Sequence, residues 1–391
     1  MLDELLSRAD VRAAQRLHSV RDARRVARRK LPAVLFDYVD GAADDEVTMR
    51  RNEDAFAAVA FRPKMASGDT QPRLGVTVLG KTLDFPVLLG PCGLVRLLHP
   101  DGPAGVARAA ASKGTVSVLS TVAGSPVEEV AEESRAPVWF QLYSAGGLAE
   151  ADALSDRAAA AGVEALMITV DTPTLGNRER DVRHGVAPPL RLDAHNAVPL
   201  GVQALARPRW AAQLAATGIK LSRRGADPSE HGGGLLSSVA SPFSWDDVEH
   251  LRRRWDGPFL VKGVLSATDA RRAVDAGADA VVVSNHGGRQ LDGAPATLRV
   301  LPEVVAAVGG DAEVLIDGGI RRGSHVVAAL ALGARAVLVG RPYLFGLAAA
   351  GERGVERILD ILRTEMRRTM VLMGCSSVDQ LGPDWLEVPS P

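Results

Sequence analysis

From about residue 84 onward the chain alternates two kinds of segment. Short apolar, β-branched runs recur as FPVLLGP (85–91), TVSVLST (115–121), PVWFQLY (137–143), ALMITVD (165–171), PFLVKGV (258–264), DAVVVSN (279–285), EVLIDGG (313–319) and RAVLVGR (335–341). Between them lie longer alanine-rich stretches of helical period, such as 102–114, 151–163, 266–278 and 323–334, which end in or near glycine. A short continuous apolar run reads as a buried strand, and a longer amphipathic one as a helix. Eight strands, each followed by a helix, predict a closed parallel (β/α)8 TIM barrel. A doubly wound open sheet is the alternative fold, but no glycine-rich dinucleotide fingerprint follows the first strand.

Two regions fall outside the alternation. Residues 1–60 read as an N-terminal helical cap that includes FDYVDGAADDEVTMRRNEDAF (36–56), and 186–242 carry Pro, Gly and Ser clusters. A loop of that length reads as a lid, a binding segment or a disordered stretch; within it, 202–218 has helical spacing interrupted at Pro208. The expected layout is therefore one domain over 1–391, with a barrel core at 84–348 and C-terminal helices over 349–391.

Composition narrows the classes. With 391 residues and 46% hydrophobic content the chain can bury a large core, and a net charge of −1 gives no electrostatic case for nucleic acid as partner. The basic run RDARRVARRK (21–30) reads as the solvated face of a helix. Only two cysteines occur, Cys92 and Cys375, which argues against a disulfide scaffold or structural zinc and for a reducing, cytoplasmic setting. No stretch has signal-peptide character or the length to span a bilayer.

The chemistry gathers at the strand ends, where barrels of this kind place reactive residues. SNHGGRQLDG (284–293) follows the sixth strand and sets His286 and Arg289 three positions apart in a glycine-rich turn. A base beside a carboxylate anchor suits a small acid that must lose a proton next to its carboxylate. The other ends supply Cys92 and Gly93, Ser120, Gln141 and Tyr143, Thr169 and Asp171, Lys262, Ser284, Asp317, and Gly340 with Arg341. The last two ends, IDGGIRRG (316–323) and LVGRP (338–342), place Gly318, Gly319 and Gly340 where backbone N–H groups can approach an anion, with Arg321 and Arg341 adding charge.

With these residues in view, the chain resembles the FMN-dependent 2-hydroxy acid oxidases and dehydrogenases, the group of glycolate oxidase, lactate oxidase, lactate monooxygenase, and lactate and mandelate dehydrogenase. The resemblance runs from about residue 20 to 385, and SNHGGRQLDG is the family's active-site motif. It implies His286 as the base, oriented by Asp171 in TVDTP, and a carboxylate clamp of Arg289 with Arg178 from LGNRERD. It implies Tyr38 in FDYVDG and Tyr143 in FQLYS as hydroxyl donors to the substrate, and Lys262 beside the flavin's pyrimidine end. The implied FMN contacts come from Pro91, Cys92, Gly93, Ser120, Gln141, Thr169 and Ser284. The implied phosphate site uses Asp317, Gly318, Gly319, Arg321, Gly340 and Arg341.

Departures from the short-chain members bear on the substrate. Cys92 and Gly93 stand where glycolate oxidase-like chains have threonine and alanine, and Val122 stands where an aromatic is frequent, so the expected acid is larger than glycolate: lactate-, mandelate- or medium-chain-like. Asn177 replaces a common arginine and Gly41 a frequent serine. The electron acceptor is expected to be oxygen, a quinone or an acceptor protein, and the assembly a homo-oligomer, often a tetramer in this family. Two other readings stand beside this one: a member recruited to biosynthesis that oxidises an amine or modified peptide, and a flavin-binding protein without catalysis.

Overall fold

A computed structural model describes residues 2–66, 68, 70–134, 136–143, 146–185, 194–216 and 242–388. The apolar runs form eight strands: β1 Val87–Leu89, β2 Ser117–Ser120, β3 Val138–Leu142, β4 Leu166–Thr169, β5 Phe259–Val264, β6 Ala280–Val283, β7 Glu313–Ile316 and β8 Ala336–Val339. Each pairs in parallel with its neighbours in chain order. The last returns to the first through Val337↔Val87, so the sheet is a closed (β/α)8 barrel and the open doubly wound alternative is excluded.

Alternation along each strand sorts the side chains. Leu89, Leu119, Phe140, Ile168, Val261, Val283 and Ile316 join the large core shared with the surrounding helices. Their neighbours Leu88, Val118, Trp139, Met167, Leu260, Val282, Leu315 and Leu338 form a separate cluster inside the barrel. Two residues further along the same inner faces come Ser120, Gln141, Thr169, Lys262, Ser284 and Asp317, so the polar strand ends continue the columns that fill the barrel.

The two ends are closed differently. A hairpin of Val76–Val78 and Lys81–Leu83 adds Val76, Val78 and Leu83 to the inner cluster and plugs the N-terminal end. Its turn residues Leu79 (φ 49°) and Gly80 (φ 78°) are both left-handed, the conformation that tight two-residue hairpins need. The Leu79 N–H donates to both carboxylate oxygens of Glu313 at 3.1 Å. The sequence reading did not single out this hairpin.

The C-terminal end is approached by the N-terminal helices, α1 Leu2–Gln15, α2 Val20–Lys30, α3 Ala33–Asp40 and α4 Val47–Ala57. Helix α2 buries Val20, Ala23 and Ala27 and turns its basic residues outward, as expected, although Arg24 also reaches Asp40 at 2.5 Å. Helix α3 carries Tyr38, and α4 lies against the 284–293 turn.

Residues 186–193 and 217–241 lie outside the described residues, and so does the lid expected there. What is described between them corrects the helix expected over 202–218: there are two helices, Ala194–Leu205 and Pro208–Ala216. Pro208 opens the second, because proline fits the first turn, where its missing N–H has no partner to lose. After β8 the helix Arg341–Met373 bends at Ala350 and Gly351. Beyond Met373 the expected helices are replaced by two 3-10 turns and a strand, Leu386–Glu387, paired with Ala60–Phe61. Among the described residues no helix is long and apolar enough to cross a membrane.

Candidate active site

A cleft opens at the C-terminal ends of the strands. Tyr38, Pro91, Cys92, Gly93, Ser120, Val122, Tyr143, Arg178, Lys262, His286 and Arg289 line it, together with Asp317, Gly318, Gly319, Arg321, Gly340 and Arg341. Gln141, Thr169, Asp171 and Ser284 stand directly behind that lining.

The turn after β6 delivers His286 through three consecutive left-handed residues, His286 (φ 56°), Gly287 (φ 64°) and Gly288 (φ 80°). A side chain at φ near +56° is disfavoured, so neighbouring bonds must hold it there. Ser284 Oγ accepts the His286 N–H at 3.1 Å. Asp171, just past β4, contacts Nδ1 with Oδ1 at 3.1 Å and Oδ2 at 3.3 Å, while Tyr143 Oη lies 3.3 Å from Nε2. A proton on Nδ1 therefore bonds to the carboxylate, and Nε2 keeps a free lone pair that the Tyr143 hydroxyl can donate to. Asp171 is a partner of the imidazole and caps no helix, since none begins at Thr172.

The electrostatics keep this imidazole neutral. Burial pushes the His286 pKa down, and Lys262 and Arg178 add to that against the opposing pull of Asp171. Burial alone would push the Asp171 carboxyl up, but His286 and Lys262 outweigh it and hold it below the usual range. Burial pushes Tyr143 well above an ordinary phenol and also raises Tyr38, so both remain hydroxyl donors at neutral pH.

Lys262 is buried, not solvent-facing. Its Nζ donates to Ser284 Oγ at 2.9 Å and pairs with Asp317 Oδ2 at 3.3 Å. Burial pulls its pKa down, but Asp317 and Asp171 outweigh that, and the net shift is upward: it is a fixed cation. Glycine at 263 (φ 110°) has a structural reason, since a Cβ there would stand 2.7 Å from the Asp171 Cβ. The base's partner and the lysine are thereby packed side by side.

Four arginines complete the site, and three of them, Arg178, Arg289 and Arg341, form no ion pair among the described residues. Arg178 donates to the Arg289 carbonyl at 3.4 Å and to Gln290 Oε1 at 3.5 Å, and burial with the nearby Arg289 charge lowers its pKa to about 10. Arg289 stacks 4.8 Å from the Tyr38 ring centroid and donates to the carbonyls of Tyr38 at 2.6 Å and Gly41 at 3.0 Å. Arg341 is caged by the carbonyls of Val39, Gly41 and Gly287, and burial beside Arg321 and Arg289 lowers its pKa to about 9. Arg321 contacts Glu53 at 2.9 Å. Half-buried cations with no counter-charge among the described residues define a region that favours anions.

Two sequence readings are refined here. The space at Gly93 is not simply open: a Cβ there would sit 2.6 Å from Tyr38 Oη and 3.2 Å from Val122 Cγ2, so Gly93, Tyr38 and Val122 share one wall. Asn177 is used away from the clamp, donating to Asp44 Oδ1 at 2.8 Å. The sequence reading also missed residues of the same turn. Gln290 donates to the carbonyls of Asp171 at 3.0 Å and Thr174 at 2.8 Å, and Asp292 accepts the Val47 and Thr48 N–H groups. Both lie in SNHGGRQLDG, the signal that could have found them.

Comparison with known proteins agrees with this geometry. The profile of the FMN-dependent dehydrogenase family matches residues 27–388. The chain is 40% identical over 376 residues to the pre-mycofactocin synthase of Mycolicibacterium smegmatis, covering 94% of this chain and 93% of that protein. It is 41% identical over 373 residues to the L-lactate dehydrogenase of Chromohalobacter salexigens, covering 93% and 94%. Among solved structures, the monotopic membrane protein (S)-mandelate dehydrogenase superposes with a TM-score of 0.87 at 37% identity, covering 96% of this chain and 100% of that one. The chain belongs to the FMN-dependent dehydrogenase family. It is an oxidoreductase, and FMN is its cofactor.

The residues present fit that cofactor. Gln141 Nε2, Thr169 Oγ1 and Asp317 Oδ1 are buried polar atoms without a partner among the described residues; all three stand at strand ends, Thr169 paired with Lys262 across the sheet and Asp317 in contact with its ammonium group. Such orphans call for a polar ligand. At the other side, Gly318, Gly319 and Gly340 line the cleft beside Arg321 and Arg341, where a phosphate would meet N–H groups and positive charge.

Proposed function

We propose that the protein oxidises an L-2-hydroxy acid larger than glycolate, of lactate, mandelate or medium-chain type, to the 2-oxo acid. The observation that carries this reading is the Asp171–His286–Tyr143 line in the same cleft as Arg178 and Arg289, whose guanidinium groups have no carboxylate partner among the described residues. Those two groups bind the substrate carboxylate, and the planar fork of arginine suits that anion. His286 Nε2 takes a proton from the hydroxyl-bearing centre, and Asp171 stabilises the imidazolium that results. Tyr143 and Tyr38 donate hydrogen bonds to the substrate oxygens. FMN, when bound, would take up the two electrons together with the second proton that the hydroxy acid loses. Lys262 would stabilise negative charge on the pyrimidine end of bound flavin, and Ser284 and Asp317 fix its ammonium group.

Oxidation of an amine or modified peptide gives the two guanidinium groups no assigned anion, and a non-catalytic flavoprotein has no use for a base fixed on both ring nitrogens. The test is anaerobic. The purified yellow protein is mixed with glycolate, L-lactate, straight-chain 2-hydroxy acids and L-mandelate, and the flavin absorbance is followed. Bleaching by the larger acids and weak bleaching by glycolate is the expected result, and no bleaching by any of them overturns the reading. Readmitting oxygen then separates an oxidase, which recolours at once, from a dehydrogenase that needs a quinone or protein acceptor. The proposal includes a cytoplasmic homotetramer. Light scattering on the eluted protein checks the assembly, and recovery of the activity in washed membranes would overturn the location.

A further inference from the structure

We infer that Asn52, on helix α4 and outside the barrel, is a positioning residue for His286; this rests on the role proposed above for that base. His286 holds a left-handed backbone (φ 56°) that a side chain disfavours, and such a conformation persists only where its surroundings over-determine it. One such constraint is the bond from the His286 N–H to Ser284 Oγ. The other is the preceding residue. Asn285 and Asn52 exchange two hydrogen bonds, Asn52 Nδ2 to Asn285 Oδ1 at 2.8 Å and Asn285 Nδ2 to Asn52 Oδ1 at 2.9 Å. Both side chains are buried, at 1% and 3% exposure, so neither amide has water as a substitute.

Asn52 also holds the far side of the same loop, since its Oδ1 accepts the Thr297 N–H at 3.1 Å. The helix that carries it is fixed by the catalytic turn in return. The N-cap residue of α4, Glu46, makes no side-chain cap, and Asp292 supplies the missing carboxylate to the N–H groups of Val47 at 3.1 Å and Thr48 at 2.7 Å. Two glycines allow the close approach: a Cβ at Gly288 would lie 2.6 Å from the Met49 nitrogen, and one at Gly319 would lie 2.5 Å from the Asn52 carbonyl oxygen. Asn52 therefore stands at the joint between the turn that aims the base and the turn that faces the phosphate. Loss of its amide leaves the Asn285 side chain with only its Nδ2 bond to the Pro295 carbonyl at 2.9 Å, and so loosens the Asn285–His286 peptide without removing any group from the cleft, because Asn52 is not among the lining residues.

Two variants test this in the FMN-loaded protein. Asn52→Ala removes the amide, and Asn52→Asp keeps its size and its acceptor oxygen while replacing the N–H donor to Asn285 with a carboxylate oxygen. The measurements are the limiting rate of anaerobic bleaching per bound FMN, the half-saturating concentrations of L-lactate and L-mandelate, and FMN retention. Misplacement of a reacting group by about an ångström costs on the order of 100-fold in rate. The expected result is thus a limiting rate reduced by about 10- to 100-fold, with half-saturation and FMN binding within about twofold of wild type. Should Asn52→Ala not fold, Asn52→Asp decides. A wild-type rate per bound FMN, or a rate loss that only tracks FMN loss, overturns the inference. If the wild-type protein is bleached by no 2-hydroxy acid, the functional reading falls and this one with it. If the wild type bleaches and Asn52→Asp matches it, the positioning role alone falls.

Discussion

Two layers of the barrel interior lie two residues apart on the same strand faces, about 7 Å at the usual rise of a strand. The lower layer is Val118, Trp139, Met167, Leu260, Val282 and Leu315, closed beneath by the hairpin's Val76, Val78 and Leu83. The upper is Ser120, Gln141, Thr169, Lys262, Ser284 and Asp317. Below, every side chain is hydrophobic and buried. Above, buried polar atoms have no partner among the described residues, and a lysine is buried beside two carboxylates. Distance along a strand, and not which strand, separates the part that holds the barrel together from the part that does chemistry. Stability and unsatisfied polarity coexist because the lower layer fixes the backbone from which the upper one projects.

The comparison breaks if changes in the upper layer and its turns act on folding, or changes in the lower layer act on the reaction. His286→Ala should have the largest effect: anaerobic bleaching slowed on the order of 10⁴-fold with FMN retained, read by absorbance after mixing. Appreciable bleaching in that variant would remove the base assignment. Asp171→Asn comes next, with a loss of roughly 10²- to 10⁴-fold from an imidazolium left without its carboxylate. Its pH profile gives a second readout. The reaction needs neutral His286, so the rate falls as pH drops through the histidine pKa, which burial already holds below the usual value. Asp171 is the group that pulls that pKa up, so its neutralisation should move the acid limb to still lower pH. A limb that moves upward would contradict the arrangement.

Trp139→Ala tests the lower layer. Removing a large side chain that is 1% exposed should lower unfolding free energy by about 3–5 kcal/mol in a denaturant titration, while the bleaching rate per bound FMN stays near wild type. The smallest effect expected is from Gly93→Ala. Its Cβ would approach Tyr38 Oη to 2.6 Å, so the tyrosine must shift. Overpacking of this kind costs about 1–3 kcal/mol. Half-saturation by L-mandelate should rise several-fold and that by L-lactate less; equal effects on both acids would separate Gly93 from the size of the pocket.

Much of this plan was legible in the chain. Strands and helices follow from local periodicity, and the polar residue closing each apolar run marks where the barrel ends, so His286, Lys262 and Asp317 could be placed at one rim before any coordinates. The hairpin 76–83 was less visible, because its turn is Leu-Gly and lacks the Asn or Asp that usually marks such turns. The helix break at Pro208 was visible as a break but not as a start, since one proline can do either.

What the sequence by itself determined is the set of local decisions: which runs are strands, where each meets water, and which ionisable residues stand at those points. Only the tertiary structure decided how those residues are paired. The Asn52–Asn285 exchange spans 233 residues and the Asp292 contact to the Thr48 N–H spans 244, and neither leaves a periodic trace along the chain. Arg341 caged by the carbonyls of Val39, Gly41 and Gly287 is of the same kind. Periodicity reports which face of an element is buried and is silent on what that face meets, so such pairings appear only once the barrel has closed.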